Sequence, residues 1–136
     1  MAEASLDLQK AVRARLVAAS AVTGLVPATS IVDRSGTPAT FPSIIIGEGQ
    51  TLPGGDIGRR QHEAYADLHV WTEEPGLVQS KTIVSAMRSA LADGRWTFDN
   101  FAVADLHIAS SRFMRDPDGR HGHAVISLQA IVVEVA

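Results

Sequence analysis

The stretch His62-Glu-Ala-Tyr-Ala-Asp-Leu-His-Val-Trp-Thr72 limits what this chain can fold into more than any other. Ala64, Ala66, Leu68 and Val70 alternate with Glu63, Tyr65, Asp67, His69 and Trp71. A period of two sustained this long is a β-strand with one face in a core and the other more polar. Such a strand needs neighbouring strands to satisfy its backbone and helices to cover its apolar face.

The flanking sequence supplies both. Leu8, Val12 and Leu16 form an i, i+4, i+8 stripe, which predicts an amphipathic first helix with Ser5 as its N-cap. That helix should end near Thr23-Gly24, with Pro27 preventing continuation. Ile31-Val32 reads as a short strand. Ile44-Ile45-Ile46, between Pro42 and Gly47, predicts a strand buried on both faces. Residues 47–60, GEGQTLPGGDIGRR, hold five glycines and one proline and are expected to form a flexible loop or hairpin tip.

After the long strand, Leu77, Val84, Met87 and Leu91 follow helical spacing, widened by Ile83 and Ala90, toward an expected glycine cap at Asp93-Gly94. In the next strand Ala104, Leu106 and Ile108 alternate with Asp105, His107 and Ala109. The last strand, Ala124 to Val135, places Ile126, Leu128, Ala130 and Val132 on one face. Val125, Ile131 and Val133 make its other face partly apolar. The polar turn DPDGRHGH separates these two strands, giving a second flexible loop near 115–122. Both loops are expected to project from one end of the sheet. The order α-β-β-β-α-β-β predicts an α+β single domain over residues 1–136. Its sheet of four to five strands would be mainly antiparallel, with two helices packed on one face.

Composition narrows the function classes. At 136 residues, 46% apolar and 20% charged, the chain suits one folded domain with a real core. A net charge of −3 gives no strong electrostatic pull toward nucleic acid. The absence of cysteine excludes disulfides and thiolate chemistry. MAEASLDLQKAVRARL does not read as a secretory signal, and no run of about 18 apolar residues predicts a membrane span. The expectation is a soluble protein, cytoplasmic when made.

The motifs that could carry chemistry read as structure. His121 and His123 form an H-x-H pair, but a transition-metal site wants three or four converging ligands. Neighbouring Glu73 and Glu74, followed by Pro75, read as charges at the start of a helix, not as a catalytic pair across a cleft. The glycine-rich segment 47–60 lacks the P-loop pattern and leads into a strand, and no G-x-S-x-G occurs. No catalytic, cofactor-binding or metal residue is nominated, and no enzyme is expected.

Three stretches carry a family resemblance: LQKAVRARLVA in the first helix, TFPSIIIGE in the buried strand, and LHVWTEEPGLVQSKTIVSAMRSAL across the strand-helix joint. With the element order and the final pair of strands, the chain resembles the tail completion, or tail terminator, proteins of long-tailed phages. Its Ala-, Arg- and Asp-leaning usage also suits a prophage or a phage-derived gene transfer agent. The resemblance implies a structural virion-assembly protein without cofactor. It implies a ring, a hexamer, that caps the tail tube, ends its polymerisation and offers the surface on which the head docks. The partners implied are further copies of the chain, the major tail tube protein and a head-tail stopper or connector. DNA would pass through the hole without sequence-specific binding. The protein would be cytoplasmic during assembly and then sit at the head-tail junction.

From exposure and position, Gln50, Leu52, Asp56, Arg59, Arg60, Arg115, Asp118 and Arg120 are the expected partner-binding residues. The alternatives are a head-tail connector, stopper or tube-related ring protein, or a small α/β ligand-binding domain or enzyme.

Overall fold

The computed structural model describes residues 2–92 and 94–135. Five strands form one sheet in the order β1-β2-β3-β5-β4. They are β1 (Ile31–Asp33), β2 (Ser43–Pro53), β3 (Gln61–Glu73), β4 (Phe101–Arg115) and β5 (His121–Glu134). β1 runs parallel to β2, and every other pairing is antiparallel. The sheet is therefore mixed, and the α+β order read from the sequence holds. Helices α1 (Ala4–Ala18) and α3 (Val78–Leu91) cover one face, joined by the short α2 (Ser20–Thr23) and a 3-10 turn at Ala28–Ser30.

The expected stripes make the core. Leu8, Val12 and Leu16 of α1 and Ile83, Val84, Met87 and Leu91 of α3 are buried against the sheet. They meet Ile44 and Ile46 of β2, Leu68 and Val70 of β3, and Ile126, Leu128 and Val132 of β5. Each such side chain contributes about 1.5–3 kcal/mol by leaving water. Ile45 is buried too, but on the opposite face, where it pairs across to His69. The three-isoleucine run is thus covered on both sides.

Four expectations change. Glu3, not Ser5, caps α1: its carboxylate accepts from the Ser5 backbone N–H at 2.8 Å. The segment 47–60 is not all loop, because β2 continues through Pro53, with Thr51 opposite Ala64 and Leu52 opposite Glu63. A register shift between Ile46 and Gly49 absorbs the glycines, so only residues 54–60 form the connection. In β4 the strict alternation fails, because register shifts fall between Val103 and Asp105 and between Ile108 and Ser110. Val103, not Ala104, faces Val132 in the core layer, followed by Leu106 and Ile108, and Ala104 is exposed. α3 ends with Ala92 as its C-cap, and the expected cap position Asp93 lies outside the described residues.

The fourth correction matters most for function. Gln61 lies opposite Val133, while Glu73 lies opposite His121. The β2–β3 hairpin tip therefore sits beside the end of β5, and the β4–β5 turn sits beside the end of β3. The two loops project from opposite ends of the sheet, separated by the 13 residues of β3, or about 40 Å. The sequence shows that each loop joins consecutive strands. It does not show that β5 inserts between β3 and β4, and that insertion reverses one hairpin relative to the other.

Candidate functional site

The helix-free face of the sheet presents the polar half of each alternating strand. Glu63, Tyr65, Asp67, His69, Trp71 and Glu73 of β3 lie beside Ile131, Gln129, Ser127, Val125, His123 and His121 of β5. Much of this polarity is internally paired. The Tyr65 hydroxyl donates to Glu63 at 3.1 Å and accepts from Gln129 at 3.1 Å, and the Ser127 hydroxyl donates to Asp67 at 2.8 Å.

Toward the β4–β5 turn the same face holds a histidine-aromatic cluster. Nδ1 of His69 and Nε2 of His123 share a hydrogen bond of 2.8 Å. Trp71 stacks on the His123 ring with centroids 4.0 Å apart and planes 11° apart. Gly47 is needed here, since a Cβ at that position would come within 2.7 Å of the His69 ring. A cleft of about 480 Å³ opens beside the cluster, walled by Arg34, Gly36 and Glu48 and floored by Ile45, His69 and Trp71.

Burial, and then the neighbouring His69, hold the His123 imidazole below its usual value, against an opposing pull from Asp116. The folded state thus takes up this proton less readily than the unfolded state. Its contribution to stability is complete above the ordinary histidine value and is lost as pH falls through the lower folded value. Urea midpoints should therefore drop between pH 7 and pH 5, and His123→Gln should flatten that limb. An unchanged profile in the variant would remove the cluster from the account.

The rings of His121 and His123 are engaged with different partners. His121 pairs through Nδ1 with Asp118 at 2.5 Å and lies 3.7 Å from Glu73 through Nε2, while His123 is engaged with His69 and Trp71. Potential ligand atoms of Asp116, Asp118 and His121 lie within 4.8 Å of one another. The turn already uses these groups: Asp118 also accepts from the backbone N–H of Arg120 and His121, and Asp116 from that of Asp118.

The eight residues expected to bind partners fall into two groups. Gln50, Leu52, Asp56, Arg59 and Arg60 belong to the β2–β3 end, and Arg115, Asp118 and Arg120 to the β4–β5 end. Three of them hold their own hairpins together. Asp56 accepts from the backbone N–H of Arg60 at 2.9 Å and of Gln61 at 3.1 Å, and these bonds keep its carboxyl below the usual range. The Arg60 guanidinium donates to the Glu134 carbonyl at 2.6 Å. Asp118 closes the other turn in the same way, and the Arg120 N–H and His121 hold its carboxyl low. Gln50, Leu52, Arg59, Arg115 and Arg120 are exposed. Sequence reasoning missed Ile57, which is fully exposed at the β2–β3 tip. An isoleucine between Asp56 and Gly58 was the available signal, but attention to charge in DIGRR passed over it.

Comparison with known proteins now bears on this geometry. A family model described as Tail completion protein gp17 matches residues 10–133. Among solved structures, a chain in the virion of a native gene transfer agent particle is 18% identical, with a TM-score of 0.83 over 97% of this chain and 99% of that one. The gp17 protein of bacteriophage SPP1 is 22% identical, with a TM-score of 0.60 over 98% of this chain and 91% of that one. Identities this low speak to shared fold. A search of curated proteins by sequence gives no match.

Proposed function

The chain belongs to the tail completion protein family, and from that premise we propose that it forms a ring, a hexamer, that caps the tail tube. In this reading the ring ends tube polymerisation and offers the surface on which a head docks through a stopper or connector, with DNA passing through its hole. The protein acts through interfaces and assembles in the cytoplasm before taking its place at the head-tail junction of a phage-like particle. No helix among the described residues is long and apolar enough to cross a membrane.

The observation that carries this reading is the family match across nearly the whole chain, joined to a fold with two separate ends. A cap between a tube and a head needs two contact surfaces on each subunit, and the two hairpins stand at opposite ends of a rigid sheet. The helix-free face also suits a DNA conduit. Glu63, Asp67, Glu73 and Asp105 lie on it, with Arg112 from β4 as a cation on the same side. A net negative wall keeps a polyanion from sticking.

Head-to-tail contacts close into a ring only when the repeated rotation completes one turn without a rise; native mass spectrometry of purified protein, or imaging of decorated tubes, should show about six copies. A strict monomer that also leaves tail tubes undecorated would overturn the proposal.

A further inference from the structure

Two exposed charges of opposite sign stand on the helix-free face with no ionic partner among the described residues. Glu48 lies at the register shift of β2, on the wall of the cleft beside His69, and makes no hydrogen bond or ion pair, not even with Arg34 on the same wall. Arg112 of β4 bonds only the Met114 sulfur, at 3.9 Å. Each charge borders an edge of the sheet. β4 is the outer strand along all of its 15 residues. On the other side β1 covers β2 only at Ile44–Ile46, so from Gly47 to Pro53 β2 is itself the outer strand.

The two charges cannot meet within one molecule. β3 and β5 lie between β2 and β4, so the edges are three strand spacings apart, about 14 Å. Yet they stand at nearly one height along the sheet. The register shift sets Gly47 and Glu48 against Asp67, Asp67 lies opposite Ser127, and Ser127 opposite Ser110. Arg112 is two residues beyond Ser110 on the same face, the diagonal position that a long side chain spans across about 7–8 Å in a paired sheet. Other charges near the two edges are already used. Asp33 at the end of β1 accepts from Gln9 at 3.0 Å, and Asp105 pairs with His107 at 2.9 Å.

We propose that neighbouring copies of this chain meet edge to edge, β4 of one along Gly47–Pro53 of the next, with Arg112 paired to Glu48 of the neighbouring copy at every seam. This rests on the ring reading above, in which the strands run from tube to head. A ring needs one surface of each subunit to fit a different surface of the next, and the two edges of one sheet meet that need. Successive antiparallel pairings leave β4 antiparallel to β2, so upright copies set side by side bring the two edges together in opposite directions. The register shifts in β4 interrupt a long backbone ladder along its edge. The seam therefore depends on side chains, and the charge pair sets its height.

The experiment compares Glu48→Arg, Arg112→Glu and the double variant carrying both, by native mass spectrometry across a concentration series and by imaging of decorated tail tubes. Both positions are exposed, and circular dichroism with a melting curve checks each fold. Each single variant sets like charges across every seam and should need at least about tenfold more protein for half assembly. The double variant restores opposite charges at every seam and should return to within about threefold of the parent. Raised salt should weaken assembly of the parent. Since the residues are too far apart to touch within a chain, rescue reports contact between copies. Single variants that assemble like the parent, or a double variant no better than the worse single, overturn this seam while the parent's own rings leave the ring reading intact. A parent that stays monomeric and leaves tubes undecorated overturns the ring reading itself.

Discussion

Particles assembled without this chain should carry tails longer than the normal distribution, and most should be separate from heads. The reason is in how a tube grows. Each ring added to a tube presents the same end as the ring before, so nothing in the tube's own contacts stops addition once growth is under way. A cap stops it only by covering that end with a surface that fits the tube on one side and offers no copy of the tube end on the other. A chain whose two ends differ in chemistry meets that requirement. Here the β2–β3 end exposes Leu52, Ile57, Arg59 and Arg60, and the β4–β5 end Arg115, Asp118 and Arg120. Length histograms of negatively stained tails, with and without the gene, measure the effect directly. A head-tail stopper makes a different prediction: its loss leaves tails of normal length that fail to join heads. Normal-length free tails would therefore move the chain from terminator to stopper, and a gene neighbourhood with portal, tube and tape-measure genes would not by itself separate the two.

Much of the fold was legible because local pattern and burial agree. The period-two run at 62–72 and the stripes through Leu8 and Met87 gave β3, α1 and α3, since each depends only on side chains a few residues apart. The β4 bulges were hidden, because a bulge is a property of the pairing with β5 and leaves the composition of β4 unchanged. Strand order was hidden for the same reason, and with it the opposite placement of the two hairpins. The glycine-rich segment 47–53 was misread as loop. Glycine's weak strand preference is overridden where Tyr65 and Ala64 supply a paired neighbour and Gly49 must approach the Tyr65 carbonyl closely. Among the residues expected to bind partners, Asp56, Arg60 and Asp118 turn their side chains back onto their own hairpins. Gln50, Leu52, Arg59, Arg115 and Arg120 are exposed, and so is the apolar Ile57.

The joint Glu73-Glu74-Pro75 shows how a reading can be right in kind and coarse in detail. The two carboxylates were expected to serve the start of the second long helix, and only one does. Glu74 accepts from the Gln79 and Ser80 backbone N–H groups, both at 3.0 Å, and from the Thr72 hydroxyl at 2.9 Å. Leu77, at the N-cap position of α3, makes no side-chain cap of its own, so Glu74 caps the helix from three residues upstream. Glu73 points to solvent, 72% exposed.

Glu74→Ala removes the cap, a loss of about 0.5–2 kcal/mol. It also strands the Thr72 hydroxyl and the Ser80 N–H, both in fully buried residues, at a further cost of about 1–3 kcal/mol. The expected total is about 1.5–5 kcal/mol, a large part of a domain stability of about 5–15 kcal/mol. Glu73→Ala should stay within about 0.5 kcal/mol of the parent. The pH dependence gives an independent check. Burial pushes the Glu74 carboxyl up, but Gln79, Thr72 and Ser80 outweigh it and hold the group below its ordinary 4.5. Its contribution is complete above that value and is lost as pH falls through the lower folded value. The parent should therefore lose stability on the acid side, and Glu74→Gln, which keeps an acceptor but cannot titrate, should lose less. Equal urea midpoints for Glu73→Ala and Glu74→Ala at pH 7 would show that the α3 start is held by packing of Leu77 and Ile83 and not by this carboxylate.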